Sequence, residues 1–396
     1  MPEDLCPSCG SPLSSETCPL CTKQQVFKVI RRDLSLLALL TGVAILTFLG
    51  TRQLAAVNRN FNQRMAADEY GKGEQKLQAG NINAAVDSFR SAAARDLQQP
   101  EYLLALAGAL TVKNRNAEAI QVLQTLRDSN PQDARVNLAL ARATAGTGNV
   151  TDTIKYYQNA LYGDWPEGGG LQQRIPVRLE FIHYLMDHAR QELAVSELVA
   201  LVYNLPGRDP THLDAGWLFL KLNDPSRALE QFKQALRNQP GNPDALAGGG
   251  KAAFAQADYE NAKSYLQTAA NSSPQQSDAA LLLKRTDMIL ENDPMAAHLS
   301  SSERETRLRQ NLDYATAQLR ICGNVNHENV ANLLQEGDTI KTQLRKGLSR
   351  NDIDVLRNGI ELTYEMEQVT RSACWLTDDF GDALIRIGLR HRAAAR

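Results

Sequence analysis

SRALEQFKQAL (residues 226–236) and ENAKSYLQTAA (residues 260–270) carry one pattern: a small residue, a large apolar residue four later, and another small or apolar residue three after that. Steps of four and three put all three side chains on one face of an α-helix. The small position, Ala228 in one stretch and Ala262 in the other, recurs every 34 residues. The same pattern runs upstream through ELAVSELVAL at Ala194, DTIKYYQNAL at Thr153, AEAIQVLQTL at Ala119 and NAAVDSFRSAA at Ala85. Only the step from Thr153 to Ala194 is longer. A fixed period of this length predicts stacked helix pairs, each too small to bury its own apolar face and each covered by its neighbours.

The large apolar position is Phe89, Leu123, Tyr157, Leu198, Phe232 or Leu266. Twelve residues before each small position stands Gly73, Ala107, Ala141, Ile182, Gly216 or Gly250, mostly small enough for two helices to cross closely. Pro131, Pro206, Pro240 and Pro274 close four of the copies. On these residues the chain from Ala66 to Pro274 resembles the tetratricopeptide repeat (TPR). The fourth copy departs from that pattern through Ile182 and the Gly168-Gly169-Gly170 insertion, where we expect a kink or an altered superhelix. DAALLLKRTDMIL, from Asp278 to Leu290, predicts a helix capping the open end of the stack.

The resemblance implies a groove lined by the first helix of each pair, binding a protein or peptide. Carried over copy by copy, it assigns Tyr70, Leu104, Arg142, His183, Leu213, Trp217, Leu220, Lys251 and Phe254 to that groove. An apolar residue on a repeat helix is more often core than ligand contact. Trp217 and Phe254 are the expected anchors, because exposed aromatics on a binding face contribute disproportionately to binding. Tyr70 and Glu74 stand where some family members place the Lys and Asn that clamp a C-terminal carboxylate, which disfavours chaperone-tail binding. His183 and His188 are not spaced to share a helix face, so a metal reading there yields to an ordinary surface one.

Upstream of the repeats, LSLLALLTGVAILTFLG (Leu34 to Gly50) carries no charge. As a helix it would rise about 25 Å, and Leu54 to Val57 could extend it across a hydrocarbon core of about 30 Å. Its only polar side chains, Ser35, Thr41 and Thr47, do not make the polar stripe of a soluble core helix. A cleaved signal peptide needs a short basic start, whereas here a long cysteine-containing head precedes the apolar run. The expectation is one transmembrane helix. Lys23, Lys28, Arg31 and Arg32 before it outweigh Arg52, Arg59 and Arg64 after it, a modest bias toward a cytoplasmic N-terminus.

The head holds Cys6-Pro7-Ser8-Cys9-Gly10 and Cys18-Pro19-Leu20-Cys21. Two CxxC pairs suit a tetrahedral structural Zn2+ held by Cys6, Cys9, Cys18 and Cys21. Paired disulfides and a redox CxxC are the competing readings. The first knuckle resembles the short zinc ribbon at the N-terminus of many bacterial membrane proteins, although Thr22 replaces the second glycine. So short a segment cannot build a hydrophobic core, so a bound metal would supply most of its folding energy.

Past Pro294 the period stops. SSSERETRLRQNLDYATAQLRIC (residues 300–322) offers a capping box from Ser302 to Glu305 and a seam of Leu308, Leu312, Ala315 and Leu319. Three further helices are expected. The second carries Leu333, Ile340 and Leu344; the third, started by Ser349 to Asp352, carries Ile353, Leu356, Ile360 and Val369; the fourth carries Phe380, Leu384 and Ile387. Cys322 ends the first helix and Cys374 the third, so an up-down bundle brings both to one end. That geometry permits a disulfide, with two unpaired thiols as the alternative.

The predicted fold is therefore all-α: a zinc ribbon (1–24), a basic juxtamembrane stretch (25–33), a transmembrane helix (34–54), a linker (55–65), a TPR-type solenoid of about six repeats with a capping helix (66–292) and a C-terminal helical bundle (295–396). A net charge of −2 and the lack of a basic run with interleaved aromatics argue against nucleic acid as a partner. No nucleotide loop, triad order or paired-carboxylate motif points to catalysis. The expected function is a non-enzymatic scaffold of a bacterial inner membrane, with the head cytoplasmic and the repeats and bundle outside, serving envelope assembly or secretion. The alternatives are a transmembrane signal transducer and an accessory subunit of a membrane enzyme complex, the latter using His327, Glu328 and Asp338.

Overall fold

A computed structural model describes residues 6–11, 18–166, 170–272, 277–322, 329–348, 352–374 and 378–394. Its elements are α-helices, and among the described residues the sole β-type pairing is an isolated bridge between Asp133 and Asp164. The chain divides into two compact units, Met1–Gly170 and Leu171–Arg396.

In the first unit, α1 (Pro19–Gln78) is a single helix of 60 residues, about 90 Å long. The stretch 55–65, expected as a linker, is part of it. No Gly or Pro interrupts the chain between Thr51 and Tyr70, so nothing there ends a helix. The last turns of α1 pair with α2 (Ile82–Arg95), followed by the pairs α3 (Pro100–Val112) with α4 (Asn116–Ser129) and α5 (Ala134–Ala145) with α6 (Val150–Tyr162).

The second unit holds α7 (Leu171–Asp187) with α8 (Gln191–Asn204), α9 (Thr211–Lys221) with α10 (Pro225–Asn238), and α11 (Pro243–Ala255) with α12 (Tyr259–Ser272). The expected kink falls largely on residues 167–169, outside the described residues; α7 itself contains Pro176. Next come α13 (Ser277–Asn292), α14 (Ser301–Ile321), α15 (Val330–Leu344), α16 (Ile353–Cys374) and α17 (Asp379–Ala394). Pro274, Asn324 to Asn326 and Ser349 to Asn351 lie outside the described residues.

The periodic residues do what their spacing predicts. A Cβ added at Gly73 would lie 2.5 Å from the Phe89 ring, at Gly216 2.7 Å from the Phe232 ring, and at Gly250 2.6 Å from Leu266. Each glycine thus admits the large side chain sixteen residues later, which is fully buried. The turns share the period. Gly80, Asn114, Gly148, Ala189, Asn223 and Ala257 all adopt positive φ at the hairpin corners. In five of the six, the next amide reaches back to a carbonyl five residues earlier, as Arg115 N–H does to Leu110 O (2.9 Å) and Asp258 N–H to Ala253 O (3.0 Å). This is the Schellman closure of a helix C-terminus, for which Gly and Asn are best suited.

In the bundle, Leu308, Leu312, Ala315, Leu319, Leu333, Ile340, Leu344, Leu356 and Met366 form one core. Ile353 differs from expectation: it is the first residue of α16 and half-exposed. The capping box also falls two residues earlier than expected. Ser300 and Glu303 form it, with Ser300 N–H donating to Glu303 Oε2 (2.8 Å) and Glu303 N–H to Ser300 Oγ (3.2 Å). Two S-x-x-E frames overlap here, and Glu305 of the second instead pairs with Arg309 one turn on.

Candidate functional site

The head positions its sulfurs by two different means. Around the first pair, Gly10 N–H donates to Cys6 O and Cys6 N–H to Ser11 O, both at 2.9 Å. Gly10 closes that turn at φ +69°, a conformation open to glycine at no steric cost. The second pair is no knuckle. Cys18 is the N-cap of α1 and Cys21 lies in its first turn, so the helix supplies the geometry that a second glycine turn would otherwise give. Hence Thr22 is tolerated there. A helix N-terminus also favours thiolate.

The four Sγ atoms lie within 4.8 Å of one another, with Cys6–Cys21 at 3.8 Å and Cys9–Cys18 at 3.5 Å. Bonds of about 2.3 Å from a tetrahedral zinc imply sulfurs about 3.8 Å apart, so the donor set fits such an ion. All four cysteines are free thiols. The hydroxyl and amide of Ser11 hold the Cys9 thiol down to about 6. Cys21 is pushed up to about 12, chiefly because its sulfur shares protons with Cys9 and Cys6. Four crowded thiols cannot all ionise unaided, and a divalent cation removes that obstacle.

Beyond the head, α1 contains the one stretch of the described residues long and apolar enough to cross a membrane. Among the described residues nothing covers it: Leu39 is 63% and Leu46 70% exposed. Its hydroxyls are already satisfied within the helix, Thr41 Oγ donating to Leu37 O and Thr47 Oγ to Ala44 O, each at 2.9 Å.

The predicted groove residues have different fates. In the first unit Tyr70 is half-buried against Tyr102 and Phe89, ring centroids 5.2 and 5.6 Å away, and its hydroxyl is pushed up to about 12 by burial and by Glu74. Leu104 is half-buried and Arg142 exposed. In the second unit His183 is exposed, whereas the His188 ring stacks on Tyr184 and its Nδ1 donates to the Tyr184 carbonyl at 2.8 Å. Leu213 and Leu220 are half-buried.

Trp217 and Lys251 meet in a cleft of about 310 Å³. Its other wall is the capping helix, through Asp278, Leu281, Leu282 and Arg285. Trp217 is braced edge-on by Phe232, with ring centroids 5.3 Å apart, and Leu281 is 50% exposed. The α13 side of the cleft was not assigned from sequence, although the Leu281-Leu282-Leu283 run, longer than one buried stripe needs, was a signal for it.

Phe254 is not an exposed anchor. It is 8% exposed and packs in a core with Tyr259, Leu266, Ile289, Leu384 and Ile387. The Arg386 guanidinium lies 4.6 Å from its ring centroid. Other α17 side chains fasten the same end of the repeats: Arg390 pairs with Glu260 at 2.8 Å, and His391 Nε2 lies 2.9 Å from the buried Asp293 carboxylate. Burial of Phe254 thus comes from a helix some 130 residues further along the chain.

Cys322, at the end of α14, is disulfide-bonded. Cys374 ends α16, and its side chain is outside the described residues. Among the residues weighed for an enzyme site, Asp338 is exposed, and His327 and Glu328 lie outside the described residues.

Residues 76–143 and 213–279 match two models of the tetratricopeptide repeat family. The chain therefore carries tetratricopeptide repeats, on an all-helical fold suited to protein–protein interaction. No curated protein matches the sequence. Similar solved structures include the C-terminal part of a TPR protein from Cytophaga hutchinsonii (11% identity, 80% of this chain and 99% of that one, TM-score 0.43). YrrB, described as a TPR protein with an unusual peptide-binding site, aligns at 16% identity over 50% of this chain and 99% of its own (TM-score 0.39). The type IV pilus biogenesis factor PilW aligns at 16% over 55% and 98% (TM-score 0.39).

Proposed function

We propose that this chain is a single-pass, membrane-anchored, non-enzymatic scaffold that holds a protein or peptide partner on its repeats. The observation carrying this reading is the cleft of Trp217 and Lys251 against α13, where a half-buried aromatic sits among apolar side chains, with Lys251, Asp278 and the Asp379-paired Arg285 around it. Such an arrangement suits the apolar face of an amphipathic helix or extended segment. Zn2+ on Cys6, Cys9, Cys18 and Cys21 would hold the head folded.

Redox chemistry supports one topology. The head has four free thiols before the apolar run, and Cys322 is disulfide-bonded after it. The pairing expected from the sequence, Cys322 with Cys374, would stabilise the bundle by about 4 kcal/mol. Free thiols suit a reducing cytoplasm and a disulfide suits the far side of a bacterial inner membrane. A partner in envelope assembly or secretion fits that side.

The test has two parts. Capture from detergent extracts with wild type, Trp217→Ala and Cys6→Ser should give a partner that the first substitution loses and the second keeps. A membrane-impermeant maleimide should label Tyr203→Cys, at a site 87% exposed, in spheroplasts, and label the head only after lysis. The opposite labelling pattern overturns the topology, and equal capture by Trp217→Ala overturns the cleft.

A second reading has one observation in its favour. Because α1 runs unbroken from Cys18 into the first repeat, a movement of the repeats could reach the zinc head as a rigid displacement, as a signal transducer requires. Inserting Gly-Gly after Thr51 would uncouple a transducer and leave a scaffold's capture of its partner unchanged.

A further inference from the structure

Between the apolar run and the first repeat, α1 passes through TRQLAAVNRNFNQRM (residues 51–65), where no side chain is buried. Within this polar stretch three large apolar residues stand out: Leu54 (71% exposed), Val57 (64%) and Phe61 (59%). They are separated by three and then four residues, the spacing of a coiled-coil seam. The seam ends where the repeat begins: Ala66 is fully buried and the next seam positions are Arg64 and Asp68.

Two occupants compete for this face, lipid and another helix. If the hydrocarbon begins at Leu34 and is about 30 Å thick, it ends near Leu54, and Phe61 stands about 10 Å beyond its edge, clear of the headgroups as well. Lipid therefore leaves Phe61 in water. The charges favour a second copy over an unrelated helix. With Leu54 and Phe61 at the a positions and Val57 at d, Arg52 and Arg59 both fall at f, the outermost position, while the flanking e and g positions are the neutral Thr51, Gln53, Asn58 and Asn60. A parallel pair of these helices meets no like-charge contact along Leu54, Val57 and Phe61, and the first one falls at Arg64, the d position where the seam ends.

We propose that a second copy of this chain docks in parallel along Leu54, Val57 and Phe61, forming a two-stranded coiled coil just outside the membrane. The inference rests on the membrane-anchored reading, because the bilayer sets both helices parallel and at the same depth. Two heptads bury less than the roughly 1,200 Å² of a stable interface, so this pre-alignment supplies the rest. Further inward the same spacing falls first on the small Gly50 and Thr47 and then on Val43, Leu40 and Leu36, so the apolar seam is interrupted for two positions before it resumes in the membrane helix.

The test is cysteine cross-linking of the full chain in native membranes under mild oxidation, with the parent chain as control for the head thiols. Leu54→Cys, Val57→Cys and Phe61→Cys should give a covalent dimer several-fold above Ala55→Cys, Ala56→Cys and Arg59→Cys. Equal yields on all faces, no dimer, or a maximum at the last three positions overturns the proposal. As a second readout, Val57→Glu should cut co-purification of two differently tagged copies by about tenfold, and unchanged co-purification counts against the seam. Chain that resists carbonate extraction but fails these tests refutes the dimer alone. Chain released by carbonate refutes the anchored reading and the dimer with it.

Discussion

Glu367 offers a quantitative test of the bundle. It lies on α16, is 4% exposed, and its Oε1 has no hydrogen-bond partner among the described residues. Burial first, and then the nearby Asp378 carboxylate, push its acid from the ordinary 4.5 up to about 7, against the opposing pull of Arg371. A Cβ at Gly381 on α17 would sit 2.7 Å from Glu367 Oε2, so there is no room for the carboxylate to turn away. Between pH 4.5 and 7 the folded chain holds a proton at this site that the unfolded chain has lost. Stability is therefore full below about pH 4.5 and falls as pH rises toward 7. A shift of this size corresponds to about 3 kcal/mol. Glu367→Gln keeps the shape and removes the titration. In urea titrations of the full chain in detergent at pH 5 to 8, wild type should lose C-terminal stability across that range and the variant should not, ending more stable at pH 8 by up to about 3 kcal/mol. Parallel pH dependences for the two proteins would refute the assignment of a buried, protonated Glu367.

Other substitutions test separate parts of the fold. Purified wild type should carry about one zinc per chain by elemental analysis, and Cys6→Ser should lose it together with protease resistance of the head. Gly250→Leu places a side chain where Leu266 already packs and should lower stability by about 2 kcal/mol, read as a reduced urea midpoint. Ala257→Gly should act in the opposite sense, because alanine at φ +59° is strained where glycine is not; a gain of up to about 1 kcal/mol is expected, and a loss would count against the Schellman turn.

Much of the architecture was legible because it is local and repeated. The step of four then three fixes a helix face, and sixteen residues from Gly216 to Phe232 or from Gly250 to Leu266 bring a gap and its filler together within one helix pair. The paired cysteines were legible in the same way. The turn residues were also periodic in the sequence, from Gly80 through Asn114 to Asn223, but alanine at two of the six corners hid the signal. The capping box was ambiguous because two frames overlapped by two residues, and only the helix start at Ser301 selects between them.

By itself, the sequence determined the helical repeat, the paired cysteines of the head, the uncharged run and the bundle seam, each of which depends on neighbours within about one helix pair. Tertiary structure decided which aromatic stays open. Trp217 and Phe254 both stand on the first helix of a pair, yet Arg386 and Leu384 of the last helix bury Phe254 while α13 makes Trp217 part of the wall of a cleft. It also decided that the second cysteine pair starts a helix and that this helix continues to Gln78. Exposure and continuity depend on what distant segments pack against and on where no segment intervenes, and a local pattern carries neither.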